Sequence, residues 1–493
     1  MGSPVKVHFE SLIKIDRLKR EPVYMQFVYQ FIHAVKSNIL ENNDRLPGSR
    51  KIAEELQVHR KTIVAALWEL QEQGWIKTIP GIGTFVTNPE ALAATQNVRA
   101  AKHPPLQAIY DFRKDFILDT PLENNLEAYS FTAGTPDYRV IKAEELVRFY
   151  ASVLKRKNGG GLASSTHGDT SYFRDQLSNY LNLTRKFHLS RNFLLPIAGI
   201  ERALSILLRL LINPGDIVLV EELSYFLPNM IFNQAGAKMK TIPVDAEGMD
   251  IDYIQNNYKP GEIRLVYINS RCQYPTTVSL SEARKKKLVA LAERYNFIVI
   301  EDDTDFEFSL DKHKKESLFS LNAGHRVIYL GGFGSFLHPG FQMNFIIAPP
   351  DLLREGAKYL NVFGKPDLIM EKALGDIIHQ GDIHRYQRKS KKIIAERKEL
   401  FAQLLKRYFK HRIAFTIAPT GLAFWVRFPD FFPLKDLQRK ARKKGLVLPS
   451  VCLYQKRNLT ALRLGFAHLS PQEMDTAVRL LSEAYYEVVA NMA

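Results

Sequence analysis

Cysteine is nearly missing from this sequence: Cys272 and Cys452 are the only two among 493 residues. Two thiols in a chain this long call for no disulfide framework, and a reducing, cytoplasmic setting is the simpler expectation. Long apolar runs are also lacking. The longest, residues 203–212, is broken by Arg209, and the opening MGSPVKVHFESLIKID has no apolar stretch of the signal-peptide kind. The sequence therefore predicts no membrane partner. Metal-ligand spacing is absent as well. Glu301, Asp302, Asp303, Asp305 and Glu307 crowd one run, but no second ligand cluster supports it, so no metal is expected. Cys272 has no histidine and acid constellation around it, and His167 and His338 read as structural rather than catalytic histidines.

Acidic residues fall short of basic ones, 52 against 68, a formal charge of +16 that suits an anionic partner. The excess is not where a nucleic-acid module would need it. Residues 1–90 hold 12 Lys or Arg against 10 Asp or Glu, so DNA affinity there depends on local placement. The most basic run, residues 385–412, has 11 basic and 2 acidic residues and predicts a long solvated helix face, with flanking phosphates as a second reading.

What the chain does contain is a compact motif at residues 46–86, LPGSRKIAEELQVHRKTIVAALWELQEQGWIKTIPGIGTFV. Ser49 reads as the N-cap of a short helix, and residues 56–59 turn the chain into a second helix near Arg60. Ile63, Ala66, Leu67 and Leu70 repeat at helical spacing and predict a buried stripe. Arg60, Lys61 and Thr62 then lie on the exposed first turn, where a helix end offers free amides to phosphate and side chains to base edges. Gly74 stops the helix, and two short strands flank Pro80, Gly81, Ile82 and Gly83 as a wing. Gly81 and Gly83 let a backbone approach sugar-phosphate closely, while Arg50, Lys51 and Lys77 add charge. A winged helix used only for protein contacts is the alternative.

Upstream, Pro22 and the apolar face of residues 24–39 predict a helix that packs this module. Downstream, residues 88–105 lose periodicity and end in Pro104 and Pro105, which reads as a linker. From about Tyr129 short apolar runs at 193–195, 217–220, 263–268, 297–300 and 327–330 alternate with amphipathic stretches. This α/β pattern predicts a mainly parallel sheet between helices, with any ligand at the carboxyl ends of its strands. The predicted domains are 12–88, a linker at 89–127, and 128–488.

The first motif resembles the GntR family of bacterial regulators, whose pattern is L-P-S-x-R, then V-S-R-x-T, then G-x-G-T-F-V. Gly48 and His59 replace the usual serines. The resemblance implies double-stranded operator DNA as partner and Ser49, Arg50, Arg60, Lys61, Thr62, Gly81, Gly83 and Thr84 as the contact set. Further on, Asp137 in GTPD, Gly168 and Asp169 in HGDTSYFR, Pro214 to Asp216 in NPGD, residues 222–225, QYPT at 273–276, Glu301 to Asp303, and YLGGFGSFLHPGFQMNF occur in order. They resemble the effector domain of MocR-type, GabR-like regulators. That likeness implies a type I aminotransferase fold, a homodimer, and pyridoxal phosphate as the usual cofactor.

The sequence departs from that pattern at four cofactor positions. The family lysine that forms the imine, in Y-x-G-T-F-S-K-T-L-x-P-G-x-R, is matched here by Ser335. Gln342 replaces an arginine of the phosphate site, Ile200 a serine, and Thr304 a tyrosine. A hydroxyl forms no Schiff base, and the four losses together remove on the order of several kcal/mol. The expectation is a domain without pyridoxal phosphate and without transamination. Tyr225, Asp302 and Arg463 still match pocket positions, with Arg271 nearby, so an amino-acid-like or carboxylate effector is one reading of that pocket. Fold-stabilising ion pairs, Arg463 with a carboxylate and Asp302 with Arg271 or a backbone amide, are the other. A cofactor-dependent regulator or enzyme and a ligand-free dimerisation scaffold remain alternatives.

Overall fold

The computed structural model describes residues 9–17, 21–88, 108, 110–112, 114–119, 129–141, 143–155, 171–311, 316–322, 325–333, 337, 343–456 and 458–492. The chain divides into two compact units, Met1–Lys114 and Asp115–Ala493.

In the first unit, α1 (Val23–Lys36), α2 (Ser49–Glu55) and α3 (Arg60–Glu72) precede a hairpin of β1 (Ile76–Ile79) and β2 (Gly83–Val86). Phe27, Phe31 and Val35 recur on one side of α1 and bury against Ile52 of α2 and Ile63, Ala66 and Leu70 of α3. The predicted α3 stripe is therefore the core seam, with Leu67 only half-buried. The hairpin register pairs Ile76 with Val86 and Ile79 with Gly83, and Arg45 bridges to Phe85 from outside it. One expectation is corrected here. Gly48, in extended backbone, is the N-cap of α2, so Ser49 sits one residue inside the helix and does not cap it.

The second unit is built on a seven-stranded sheet. Its strands are β3 (Leu194–Ala198), β4 (Ile217–Glu221), β5 (Lys238–Ile242), β6 (Ile263–Ile268), β7 (Ile298–Asp302), β8 (Val327–Gly332) and β9 (Met343–Ile347). They lie in the order β3, β9, β8, β7, β6, β4, β5, and β9 alone runs antiparallel to its neighbours. Alternation along each strand feeds two cores. Val266, Val299 and Tyr329 enter one, while Leu265, Ile300 and Ile328 enter the other, so both faces are dry and the strands read as unbroken apolar runs. Two strands were not predicted: β5, edge-exposed with lysines, and β9, an apolar MNFII run whose place between β8 and the distant β3 only the tertiary pairing sets.

A helix follows β3 at α4 (Ile200–Leu211), and the long α5 (Asp382–Phe409) leads to a four-stranded antiparallel sheet. That sheet contains β10 (Ala423–Arg427) and β11 (Leu459–Gly465), paired so that Trp425 lies opposite Arg463. The basic run on α5 is not uniformly solvated. Lys398 is buried with Nζ 2.7 Å from the Ala418 carbonyl, and Arg397 reaches Asp137 at 2.7 Å. Charge counts along a helix do not reveal such tertiary partners.

Candidate functional site

The DNA-facing candidates gather around the start of α3. His59 is its N-cap, and the ring Nδ1 accepts the Lys61 amide at 3.2 Å, doing the work of the serine it replaces. Arg60 and Lys61 are exposed and Thr62 half-buried. Arg60 Nε donates to Ser49 Oγ at 3.4 Å, so the two helices hold each other's polar side chains at this end, and Arg50 stands exposed beside them. In the wing, Thr84 and Thr78 hydroxyls meet at 3.2 Å. Gly81 and Gly83 have φ of +75° and +146°, which favours glycine whatever approaches the loop.

Arg45 is the residue that sequence reasoning missed. Its Nε would lie 2.9 Å from a Cβ on Gly83, so the guanidinium covers the wing. Residues 43–46 run beside β2, with the Leu46 amide on the Thr84 carbonyl at 2.8 Å. The only sequence signal was an arginine next to the LPGSR run.

In the second unit a cavity of about 260 Å³ opens at the carboxyl ends of the parallel strands. Ile200 and Glu201 from the start of α4, Tyr225 after β4, Asp302 at the end of β7, Thr304 and Asp305 just beyond it, and Arg463 of β11 line it. Five candidate residues widely spread in sequence, Ile200, Tyr225, Asp302, Thr304 and Arg463, thus share one wall system. Arg271 does not. It pairs with Asp303 at 2.7 and 2.9 Å and faces a separate cavity beside Arg185 and Phe306. Asp303, not Asp302, is therefore its carboxylate, because alternate residues past a strand end point to opposite sides. Ser335 and Gln342, with His167, Gly168, Asp169 and His338, lie outside the described residues.

Asp302 is fully engaged by the chain itself. Tyr267 donates its hydroxyl to Oδ2 at 2.5 Å, while the Thr304 amide and hydroxyl reach Oδ1 at 3.1 and 2.8 Å. Burial raises its pKa, and these donors pull it back. Arg463 is buried on carbonyls: Nε meets Ala133 at 2.6 Å and Nη1 meets Pro275 at 2.8 Å, with the guanidinium 4.4 Å above the Tyr274 ring. Among the described residues it has no carboxylate partner, contrary to the ion-pair expectation. Asp305, pushed up to about 6 by burial, feels the Arg463 charge in the opposite direction. Cys272 also lines the cavity, but burial raises its thiol to about 11, so it stays protonated and unreactive at neutral pH. Among the described residues no lysine lines this cavity and no cluster suits a metal ion.

A winged helix carried in one chain with a strand-end cavity of this kind defines a DNA-binding regulator with an aminotransferase-like domain. Residues 127–481 match the family described as aminotransferase class I and II, and residues 25–86 match the gntR family of bacterial regulatory proteins. The chain belongs to the aminotransferase class I and II family, in the MocR-type architecture that adds a GntR domain.

It is 25% identical over 490 residues to the probable rhizopine catabolism regulatory protein MocR of Rhizobium meliloti, spanning 96% of each chain. The uncharacterized regulator YdfD of Bacillus subtilis is 22% identical over 475 residues, covering 94% of this chain and 96% of its own. The fold of an archaeal alanine:glyoxylate aminotransferase superposes with a TM-score of 0.67 at 24% identity, covering 73% of this chain and 91% of that one. Domains of this fold normally bind pyridoxal phosphate. Among the described residues no helix is long and apolar enough to cross a membrane.

Proposed function

We propose that this protein is a cytoplasmic, homodimeric regulator that binds operator DNA through residues 12–88 and senses a small amino-acid-like or carboxylate effector in residues 128–488. Residues 89–127 link the two. Ser49, Arg50, Arg60, Lys61, Thr62, Gly81, Gly83 and Thr84 form the DNA-contact set, and Arg45 joins it. Two-fold symmetry of the dimer then requires paired half-sites.

Pyridoxal phosphate does not fit this chain's residues. Ser335 offers no amine for an imine, and Ile200 offers no hydroxyl at the start of α4. Asp302, the carboxylate matched to a pyridine nitrogen, already accepts from Tyr267 and Thr304. The domain is therefore read as non-catalytic. What supports a sensor over a bare scaffold is Arg463: a buried guanidinium on a cavity wall, held by carbonyls and free of an ion pair among the described residues. Such a group is costly to bury unless a carboxylate visits it.

The test is an absorbance titration of the purified protein with pyridoxal phosphate, followed by borohydride reduction and mass analysis. No aldimine band and no adduct are expected. A stoichiometric adduct on one lysine overturns the reading and returns the cofactor-dependent alternative. Unchanged regulation in an Arg463→Ala variant favours the scaffold.

A further inference from the structure

The charges on the cavity wall form an incomplete set. Asp302 is saturated by Tyr267 and Thr304. Three groups remain: Arg463, Asp305 and Glu201. Among the described residues neither the Asp305 nor the Glu201 carboxylate makes a hydrogen bond or ion pair; Arg463 bonds to carbonyls and stacks on a ring, and Asp305 lies near enough to feel its charge. Two carboxylates and one guanidinium, none in a direct ion pair among the described residues, are the complement of a molecule with two ammonium groups and one carboxylate.

Glu201 decides where the second ammonium goes. It is the second residue of α4, and its Oε2 folds back to within 2.9 Å of where a Cβ on Gly199 would stand. It therefore lies across the amino end of the helix, the place an anion would take. A helix end carries about half a positive charge, so a full negative charge outweighs it there. The local field repels phosphate and attracts a cation. Glu201 is exposed to the open space and electrostatically coupled to Tyr225, another wall residue.

We infer that the cavity takes a cationic amino acid of the lysine or ornithine type, its carboxylate on Arg463, its α-ammonium facing Asp305 and its side-chain ammonium facing Glu201. This rests on the sensor reading and narrows it to one ligand class. Phosphate esters are rejected at the Glu201 end and dicarboxylates lack a second cation to meet.

The experiment is isothermal titration of the full-length protein with L-lysine, L-ornithine, L-norleucine, L-glutamate and pyridoxal phosphate. L-Lysine or L-ornithine should bind at least tenfold more tightly than norleucine, which has lysine's four-carbon side chain without the terminal ammonium. Glu201→Gln should cut lysine affinity about tenfold and leave norleucine within about twofold, whereas Arg463→Ala should weaken every amino acid. Equal binding of lysine and norleucine, or tighter binding of glutamate or pyridoxal phosphate, overturns the ligand class while Arg463 dependence leaves the sensor reading standing. If no probe binds and Arg463→Ala leaves operator affinity unchanged, the sensor reading falls and this inference falls with it.

Discussion

The Tyr267 hydroxyl sits 2.5 Å from Asp302 Oδ2, a side chain of β6 closing the carboxylate at the end of the neighbouring β7. Tyr267 is buried and Asp302 half-buried on the cavity wall, and the Tyr267 phenol is raised well above its ordinary range. Burial is the larger cause and the Asp302 charge the next. Replacing Tyr267 with Phe removes the only side-chain donor to Oδ2 among the described residues. The loss should be about 1–3 kcal/mol of stability, measured by urea unfolding of the full chain.

A different pair carries more. Arg185 and Glu307 meet at 2.9 Å with both side chains almost wholly buried, and Tyr180 and Gln387 also donate to Glu307. Glu307→Ala leaves the guanidinium without its counter-charge, and the cost should be about 3–5 kcal/mol. The check is a chemical melt beside Glu307→Gln, which should lose less because it keeps an acceptor.

Glu221 gives the stability a pH dependence. Burial at the end of β4 raises its carboxyl to about 8 from 4.5. The unfolded chain releases that proton near 4.5, so between those values the folded state binds more protons and stability falls as pH rises. Glu221→Gln carries no proton to lose. Its stability relative to wild type should improve from pH 5 to pH 8.5, by about 3–4 kcal/mol, in parallel thermal melts.

At the wing, Gly83→Ala puts a methyl group against Arg45 at a φ of +146°. Strain of about 1–3 kcal/mol is expected, with weaker operator binding. Arg45→Ala should weaken operator binding without that strain, so circular dichroism melts of the two variants separate contact from folding.

On α3, Lys61→Ala should weaken binding to all DNA sequences and lower the salt slope by about 1, as one phosphate contact is lost. Arg60→Ala should cost about 1–3 kcal/mol and relax sequence preference. Fluorescence anisotropy over a salt series measures both.

Sequence order alone determined the winged helix, because its core is local: Ile63, Ala66 and Leu70 announce their face by spacing, and Gly81 and Gly83 mark the turn by backbone need. It also determined the alternating strands of the larger unit, since burial on both faces leaves unbroken apolar runs. The substitutions at Ile200, Thr304, Ser335 and Gln342 were equally legible, being differences from a written pattern.

Tertiary structure decided the rest. Arg271 pairs with Asp303 rather than Asp302, Arg463 rests on carbonyls rather than a carboxylate, Arg45 covers the wing, and Lys398 is buried in a run that reads as solvated. Each is set by groups that approach through space from elements far apart in the chain. Periodicity records which face of an element is buried; it does not record which charged side chain lies across from it.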